Sequence, residues 1–406
     1  MSALPASTPD RMNSTEKRAG ISLAAVFALR MLGLFLILPV FAIYARGLPS
    51  GSDMALVGAA LGAYGLTQAC LQIAYGAASD RFGRKPAIVF GLVLFAIGSF
   101  TAAVAADIYT IIAGRVLQGA GAISAAVTAL AADLTRDQHL TKVMAMIGSS
   151  IGLVFAVSMI GAPLLYAAIG MPGIFALTGV LALLAIVVVL KVVPGAPAVP
   201  RQPSRRSFLE VLSNRQLLRL NFGVFALHLM LTAMWVLLPG ELLTTGGLPV
   251  AEHWKVYLPA LLLSFVIMVP AIVLAERFAR MKLIFNSAIM LLLFVQVGFG
   301  LFASGLYGLT FWLTLFFVAF NILEATQPSL ISRIAPSHAK GAALGVYNTT
   351  QALGLFLGGL GGGVLAQHAG AAAVWLAGTL LAIIWLLLGL SMSMPPLRRQ
   401  PAAQTL

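Results

Sequence analysis

The sequence predicts an all-α membrane protein: twelve transmembrane helices in two pseudo-symmetric six-helix halves. Three observations predict it. First, 60% of the residues are hydrophobic, only 9% are charged, and mean hydropathy is +0.99. Soluble domains run closer to 45–50% apolar and about 25% charged, so this chain has more apolar surface than a water-soluble core can hide. Second, the apolar residues fall into twelve runs, each near the roughly 20 residues that one crossing needs. Third, short strings recur at nearly one offset in the two halves of the chain.

Taken in order, the predicted spans of the first half are 20–45, 55–76, 86–106, 108–132, 142–165 and 172–193. The first is too long for a cleaved signal, and no small-residue cleavage site follows it. After the sixth span comes PGAPAVPRQPSRRSFLEVLSN, 194–214, rich in Pro, Arg and Ser. The second half then gives 216–240, 255–275, 282–304, 308–331, 341–366 and 371–392. The domain plan is therefore a tail over 1–19, a six-helix half over 20–193, a linker over 194–214, a second half over 215–392 and a tail over 393–406.

Lys and Arg set orientation, because they favour cytoplasmic loops. Of 25 such residues, 21 fall in the tails and loops on one side and two, Arg46 and Lys255, on the other; Arg30 and Arg115 lie within spans. Both termini are expected in the cytoplasm. The net charge of +13 is thus a topology signal, and no nucleic-acid partner is expected. The lone cysteine, Cys70, excludes an internal disulfide and reads as a small packing residue. No Cys/His cluster has metal-ligand spacing and no phosphate loop of an ATP-driven pump is present. No metal and no cofactor are expected.

VFALR (26–30) and VFALH (224–228) match in four of five positions at an offset of 198. Each leads to a proline, Pro39 and Pro239. ASDRFGRK (78–85) and AERFARMK (275–282) match at an offset near 196, each after the second span of its half. Two matches at nearly one offset in equivalent places indicate a six-plus-six repeat.

The stretch GAASDRFGRK resembles the G-x-x-x-D-R-x-G-R-[KR] signature of the major facilitator superfamily, through Gly76, Asp80, Arg81, Gly83, Arg84 and Lys85. RVLQG (115–119) resembles that family's Arg-x-x-Gln-Gly motif. More closely, LRMLG, YGLTQA, SDRFGRKP, LQGAGAISAAV, DLTRDQ, LNFG, AEHWKVYL, FFVAFN and PSLIS together resemble the YajR branch of proton-driven efflux transporters, over about residues 20 to 392. Members of that branch can carry a small cytoplasmic domain after the last span, which is expected to be absent here. The antiporter signature of span five is partly present: Gly148, Gly152 and Gly161 are suitably spaced, but Ala162 separates Gly161 from Pro163. The resemblance implies a bacterial cytoplasmic (inner) membrane protein acting as a monomer, with a small-molecule substrate, protons and membrane lipid as its partners. It also implies a conformational latch. Asp80 would sit at the positive start of span eleven, KGAALG with Gly341, and gain about 0.3–2 kcal/mol there; Arg84 would pair with Asp133. Positive charge alone would serve topology, but it does not explain Asp80 or the glycines.

A charge at mid-bilayer costs about 2.5–3.5 kcal/mol on insertion scales, so charges inside spans are functional candidates. Arg30 lies about 15 Å into span one at about 1.5 Å per residue. His228 is its repeat equivalent, and the two are expected to face one central cavity. Glu324 is the acidic residue well inside a span. Glu324, His228, Arg115 and Arg30 are the candidates for proton coupling; structural roles are the alternative for each, a bridge between helices in the case of Arg115. Gln68, Gln72, Gln118, Asn321, Asn348 and Gln351 are candidates to line the substrate cavity, with interhelical hydrogen bonding as their ordinary alternative.

These residues point to a proton-coupled secondary transporter, an exporter of small amphiphilic or drug-like molecules working by alternating access. A facilitator or proton symporter importing a small metabolite is the alternative, and would favour more paired charges within the spans. An enzyme is not indicated, since no nucleophile–base pair or metal set is present.

Overall fold

The structure, a computed structural model, describes residues 11–195, 205–336 and 339–393. The outer parts of both predicted tails and 196–204 of the linker lie outside the described residues. Within these the chain forms α1 (Ser14–Arg46), α2 (Met54–Phe82), α3 (Arg84–Ala103), α4 (Ile108–Ala120), α5 (Ser124–Asp133), α6 (Asp137–Lys191), α7 (Arg205–Ser213), α8 (Arg215–Thr244), α9 (Trp254–Arg277), α10 (Met281–Phe302), α11 (Gly305–Ile334) and α12 (Lys340–Leu390). No strand occurs among the described residues. Side-chain oxygens start several helices by accepting orphan backbone N–H groups. Asn13 and Glu16 form a reciprocal capping box on α1, and Asp53, Asp107 and Asn214 cap α2, α4 and α8.

Ten stretches of the described residues are long and apolar enough to cross a membrane, counting α4 and α5 as one. Two of the ten, α6 and α12, run 55 and 51 residues, which is enough for two crossings each. Each contains one glycine with left-handed φ, Gly170 (φ 65°) and Gly370 (φ 78°). There the chain turns back, and a Cβ would resist that backbone geometry. Both breaks fall in the predicted gaps between spans, and they are 200 positions apart, in step with the repeat. The ten stretches therefore supply twelve crossings. The predicted linker ends in α7, whose Val211 is buried while Leu209 and Leu212 are exposed.

We call the side on which α1 begins proximal and the opposite side distal. The first half packs Leu23, Val26, Ile88, Leu92 and Val127 proximally and Phe41, Val57, Ile108 and Phe175 distally. The second half packs Trp235, Tyr257, Phe285, Phe316 and Trp385. Phe155 of α6 crosses into that second core, with ring centroids 6.0 Å from Phe317 and 6.4 Å from Phe320. Cys70, expected to be a packing residue, is exposed; the α2 contacts with the bundle are made by its neighbours Gln68, Ala69 and Gln72, on another face of the helix.

The halves meet from their distal ends to mid-depth, where Phe155 reaches Phe317 and Phe320. A Cβ at Gly58 of α2 would lie 2.0 Å from the Gly359 carbonyl oxygen of α12, and one at Gly65 would lie 2.5 Å from that of Ala352. The Met54 N–H donates to Gln367 Oε1 at 2.9 Å, and the Arg46 guanidinium covers Gly240 of α8. Towards the proximal side these contacts stop. A Cβ at Gly341 or Gly345 of α12 would meet nothing within 4 Å. The two halves form a V that is closed distally and open proximally.

Candidate functional site

The proximal stretch between α2 and α3 is built around one turn. α2 ends at Phe82, Gly83 takes φ 99° and ψ 149°, and α3 begins at Arg84. The turn aims Arg84 back across α2. Its guanidinium pairs with Asp80 and donates from Nε to Asp133 Oδ2 at 2.8 Å and from Nη1 to Ser79 Oγ at 2.7 Å. Lys85 donates to the Val193 carbonyl at 2.6 Å, tying the turn to the end of α6. Arg81 is exposed and lies over its neighbour Phe82, 5.3 Å from the ring centroid. The Arg84–Asp133 contact implied by the family resemblance is present. The expected contact of Asp80 with the start of span eleven is not. Asp80 pairs within its own turn, Gly341 is exposed, and α12 starts without a side-chain cap. Gly76 of the signature makes no close backbone approach: a Cβ there would meet only Ala125, at an ordinary 3.7 Å. The physical reason is the splay of the halves, which separates Asp80 from its expected partner on the open side.

The repeat copy in the second half keeps the turn. Ala279 stands where the first half has Gly83 and has φ 54°, one of two positive-φ residues other than glycine among the described residues. Glu276 pairs with Arg333 at 3.3 Å, joining α9 to α11 as Arg84 joins α3 to α5.

Within the first half, two buried guanidiniums share Tyr64. Arg30 is 0% exposed and donates from Nη2 to Tyr64 Oη at 2.6 Å and to the Gly121 carbonyl at 3.1 Å. That carbonyl is available because the helix breaks between α4 and α5, where Gly121 meets the α3 backbone at Gly91. Arg115 donates to the carbonyls of Ala60 and Leu61, both at 3.2 Å, and to Gln118 Oε1 at 2.8 Å; Gln118 in turn donates to Ser99. Among the described residues neither guanidinium pairs with a carboxylate. The Tyr64 ring faces both, with centroid distances of 5.7 and 5.4 Å, which is cation–π geometry. Arg30 therefore turns into its own bundle and does not share a cavity with His228, contrary to expectation. Arg115 and Gln118 form a hydrogen-bonded bridge between α2, α3 and α4.

The second half holds the other cluster. His228 of α8 places Nδ1 3.0 Å from the Val224 carbonyl oxygen and Nε2 2.7 Å from the side-chain amide of Gln351 on α12. Glu324 of α11 lies 3.7 Å from the same Nε2, and its side chain is 37% exposed against 6% for His228. Phe320 stands edge-on to the imidazole at 5.8 Å. Tyr347, one turn before Gln351, is buried with its hydroxyl unpaired among the described residues. A carbonyl only accepts, so Nδ1 must carry hydrogen, and Nε2 is left to accept from the amide and to take up a proton.

Of the residues expected to line a cavity, the structure brings Gln351 to His228 and leaves Asn348 half-buried one turn earlier on α12. It turns the others inward. Gln118 is spent on Arg115, Asn321 donates to Ser264 Oγ at 2.8 Å, and Gln68 and Gln72 are buried. Gln118 and Asn321 find partners within the bundle, whereas both polar atoms of the Gln72 side chain and Gln68 Oε1 are buried without a hydrogen-bond partner among the described residues. Tyr64, Tyr347 and Ser264 were not singled out from the sequence. Tyr64 stood in the quoted string YGLTQA, but a tyrosine in an apolar span carries no sign of which neighbour its hydroxyl meets.

A family model described as Major Facilitator Superfamily matches residues 23–359. The inner membrane transport protein YajR of Escherichia coli (strain K12) is 44% identical over 390 residues, covering 95% of this chain and 86% of that one. The multidrug resistance protein MdtH of Cronobacter sakazakii (strain ATCC BAA-894) is 29% identical over 342 residues, covering 82% and 83%. Among solved structures, a D-xylose–proton symporter superposes with a TM-score of 0.73 at 16% identity, covering 93% and 98%; that likeness is one of fold.

Proposed function

Because the chain belongs to the major facilitator superfamily, and is thus a multi-pass membrane transporter, we propose that it is a proton-driven exporter of small amphiphilic molecules. The observation that carries this is the His228–Glu324–Gln351 cluster. Among the described residues, Glu324 is the one carboxylate more than two turns from a helix end, and it is partly exposed and adjacent to an imidazole. An ionisable pair inside a span is a place where a proton can be held during transport. The two helices carrying the pair, α8 and α11, belong to one half, so the proton site rides with that half as it rocks.

The proximal side carries nearly all the Lys and Arg and is therefore cytoplasmic in this reading. The structure then corresponds to the state open to the cytoplasm, in which an amphiphile enters from the cytoplasm or inner leaflet. Closing the proximal side would bring Asp80 to the start of α12 and complete the latch. A proton arriving from outside on Glu324 and His228 would favour return. The cycle needs no cofactor beyond the proton gradient, and one chain supplies both halves. The membrane is the bacterial inner membrane, as the name of YajR states for that relative. MdtH, named for multidrug resistance, supports the efflux direction.

The test is a reconstituted vesicle with a pH-sensitive dye inside and a panel of amphiphilic compounds outside. Export coupled to protons predicts proton movement opposite to substrate movement, abolished by Glu324→Gln. Substrate and proton moving together would establish the symport alternative. Substrate movement indifferent to the gradient would establish a facilitator.

A further inference from the structure

We infer that Gln351 is the positioning residue that converts a proton on His228 into movement of α12 against α2. The inference rests on the proton-site reading above. Two facts carry it.

The first is hydrogen-bond chemistry. The Val224 carbonyl holds Nδ1–H in place in both charge states, so the proton that comes and goes is the one on Nε2. In the neutral ring Nε2 accepts from the Gln351 NH₂ at 2.7 Å. An imidazolium cannot face that NH₂, because both are donors. Its Nε2–H must find an acceptor, and two are near: the carbonyl oxygen of the same amide once it flips, and Glu324 at 3.7 Å. Uptake of one proton thus breaks the existing α8–α12 hydrogen bond and either reverses the amide or transfers the contact to α11. The titratable group beside the ring is Glu324 from α11; on α12, one turn before Gln351, the Tyr347 hydroxyl lies within electrostatic reach of Glu324.

The second is position. From Gly354 onward α12 is locked to α8 backbone to backbone: a Cβ at Gly354 would lie 2.5 Å from the Phe225 carbonyl oxygen and one at Gly358 2.2 Å from that of Leu229. On its other face α12 packs on α2 at a series of glycines from Gly363 to Ala352, opposite Gly65, while further along the proximal arm a Cβ at Gly345 or Gly341 would meet nothing within 4 Å. Gln351 is the next residue. It sits where the closed distal part of the V gives way to the open proximal part. A hydrogen bond that changes sense at this point changes how the proximal arm of α12 is held, while the glycine contacts beyond it stay packed. A polar residue placed only to line the cleft has no reason to sit at the end of the α2–α12 contact with its amide on a histidine.

The experiment uses the full chain in lipid nanodiscs with Cys70→Ser, spin-labelled at Phe90→Cys and Leu283→Cys, two exposed proximal sites on opposite halves. The distance distribution is followed from pH 5 to 9. The wild type is expected to change its proximal-open fraction with a single midpoint. Gln351→Met keeps length without the amide and is expected to lose at least two-thirds of that pH-dependent change. Gln351→Glu supplies a fixed acceptor and is expected to raise the midpoint by about one pH unit or more, since a carboxylate favours the imidazolium. His228→Gln separates the two claims. If it abolishes the pH response while both Gln351 variants respond as wild type, the role of Gln351 is overturned and the proton site stands. If His228→Gln itself responds as wild type, the proton site fails, and the inference with it. Thermal unfolding of each variant identifies a misfolded one, and Gln351→Glu decides if Gln351→Met does not fold.

Discussion

Gly58→Ala is the sharpest perturbation of the closed distal side. The added Cβ would lie 2.0 Å from the Gly359 carbonyl oxygen, and Gly359 and Gly363 leave no flexible side chain to move aside. A normal contact needs about 3.5 Å, so α2 and α12 must separate by about 1.5 Å at this level. Over-packing of this kind costs roughly 1–3 kcal/mol. The cost falls only on the state in which the two helices touch distally, so it shifts the balance between access states by about 5- to 150-fold. Spin labels at Tyr109→Cys and Tyr307→Cys, both exposed at the distal starts of α4 and α11, report the distal opening. The variant should lengthen that distance and shorten the proximal one measured from positions 90 and 283. Gly361→Ala is the control, because a Cβ there meets nothing within 4 Å. An unchanged distal distribution in Gly58→Ala, with the protein folded, would refute glycine packing as the element that holds this state.

Ala279→Gly should raise stability by up to about 1 kcal/mol, seen as a higher unfolding midpoint, because Ala279 holds φ 54°, a conformation that glycine reaches without the side-chain penalty. Arg115→Met should lower stability by about 2–4 kcal/mol, since it removes three buried charge-assisted hydrogen bonds and leaves Gln118 Oε1 without its donor; Arg115→Lys should recover less than half, as an ammonium lacks the planar fork. Asp80→Asn should leave the unfolding midpoint of the proximal-open protein within a degree or two, because Asp133 still holds Arg84, yet reduce the proximal-closed fraction when the latch is needed; equal fractions in wild type and variant would remove Asp80 from the latch. Glu324→Gln should abolish coupled proton movement in vesicles while leaving the helical circular-dichroism signal intact.

Much of this protein is written along the chain. Crossing number follows from apolar run length, and the turns at Gly170 and Gly370 fall in the gaps that run length predicts. The repeat was legible because equivalent turns need equivalent residues, down to Ala279 in the strained place of Gly83. Run length and turn chemistry are local properties, and local properties survive without knowledge of neighbours. The pairing of Arg84 with Asp133, 49 positions apart, was implied by the family resemblance and not by spacing.

The tertiary structure decided which way each polar side chain turns. Arg30 and His228 occupy equivalent positions in the repeat, yet one is drawn into its own bundle by Tyr64 and the broken helix at Gly121, while the other meets Gln351 and Glu324 from two other helices. Gln118 and Asn321 were equally plausible cavity residues until Arg115 and Ser264 supplied partners. Helix rotation is set by packing against several neighbours at once, which periodicity in an all-round apolar helix does not encode. The access state is a matter of tertiary structure for a further reason. In the proposed cycle one sequence would serve two access states, and such states differ by only a few kcal/mol, so the pairing of Asp80 with Arg84 seen here belongs to the packing of the halves and not to any stretch of residues.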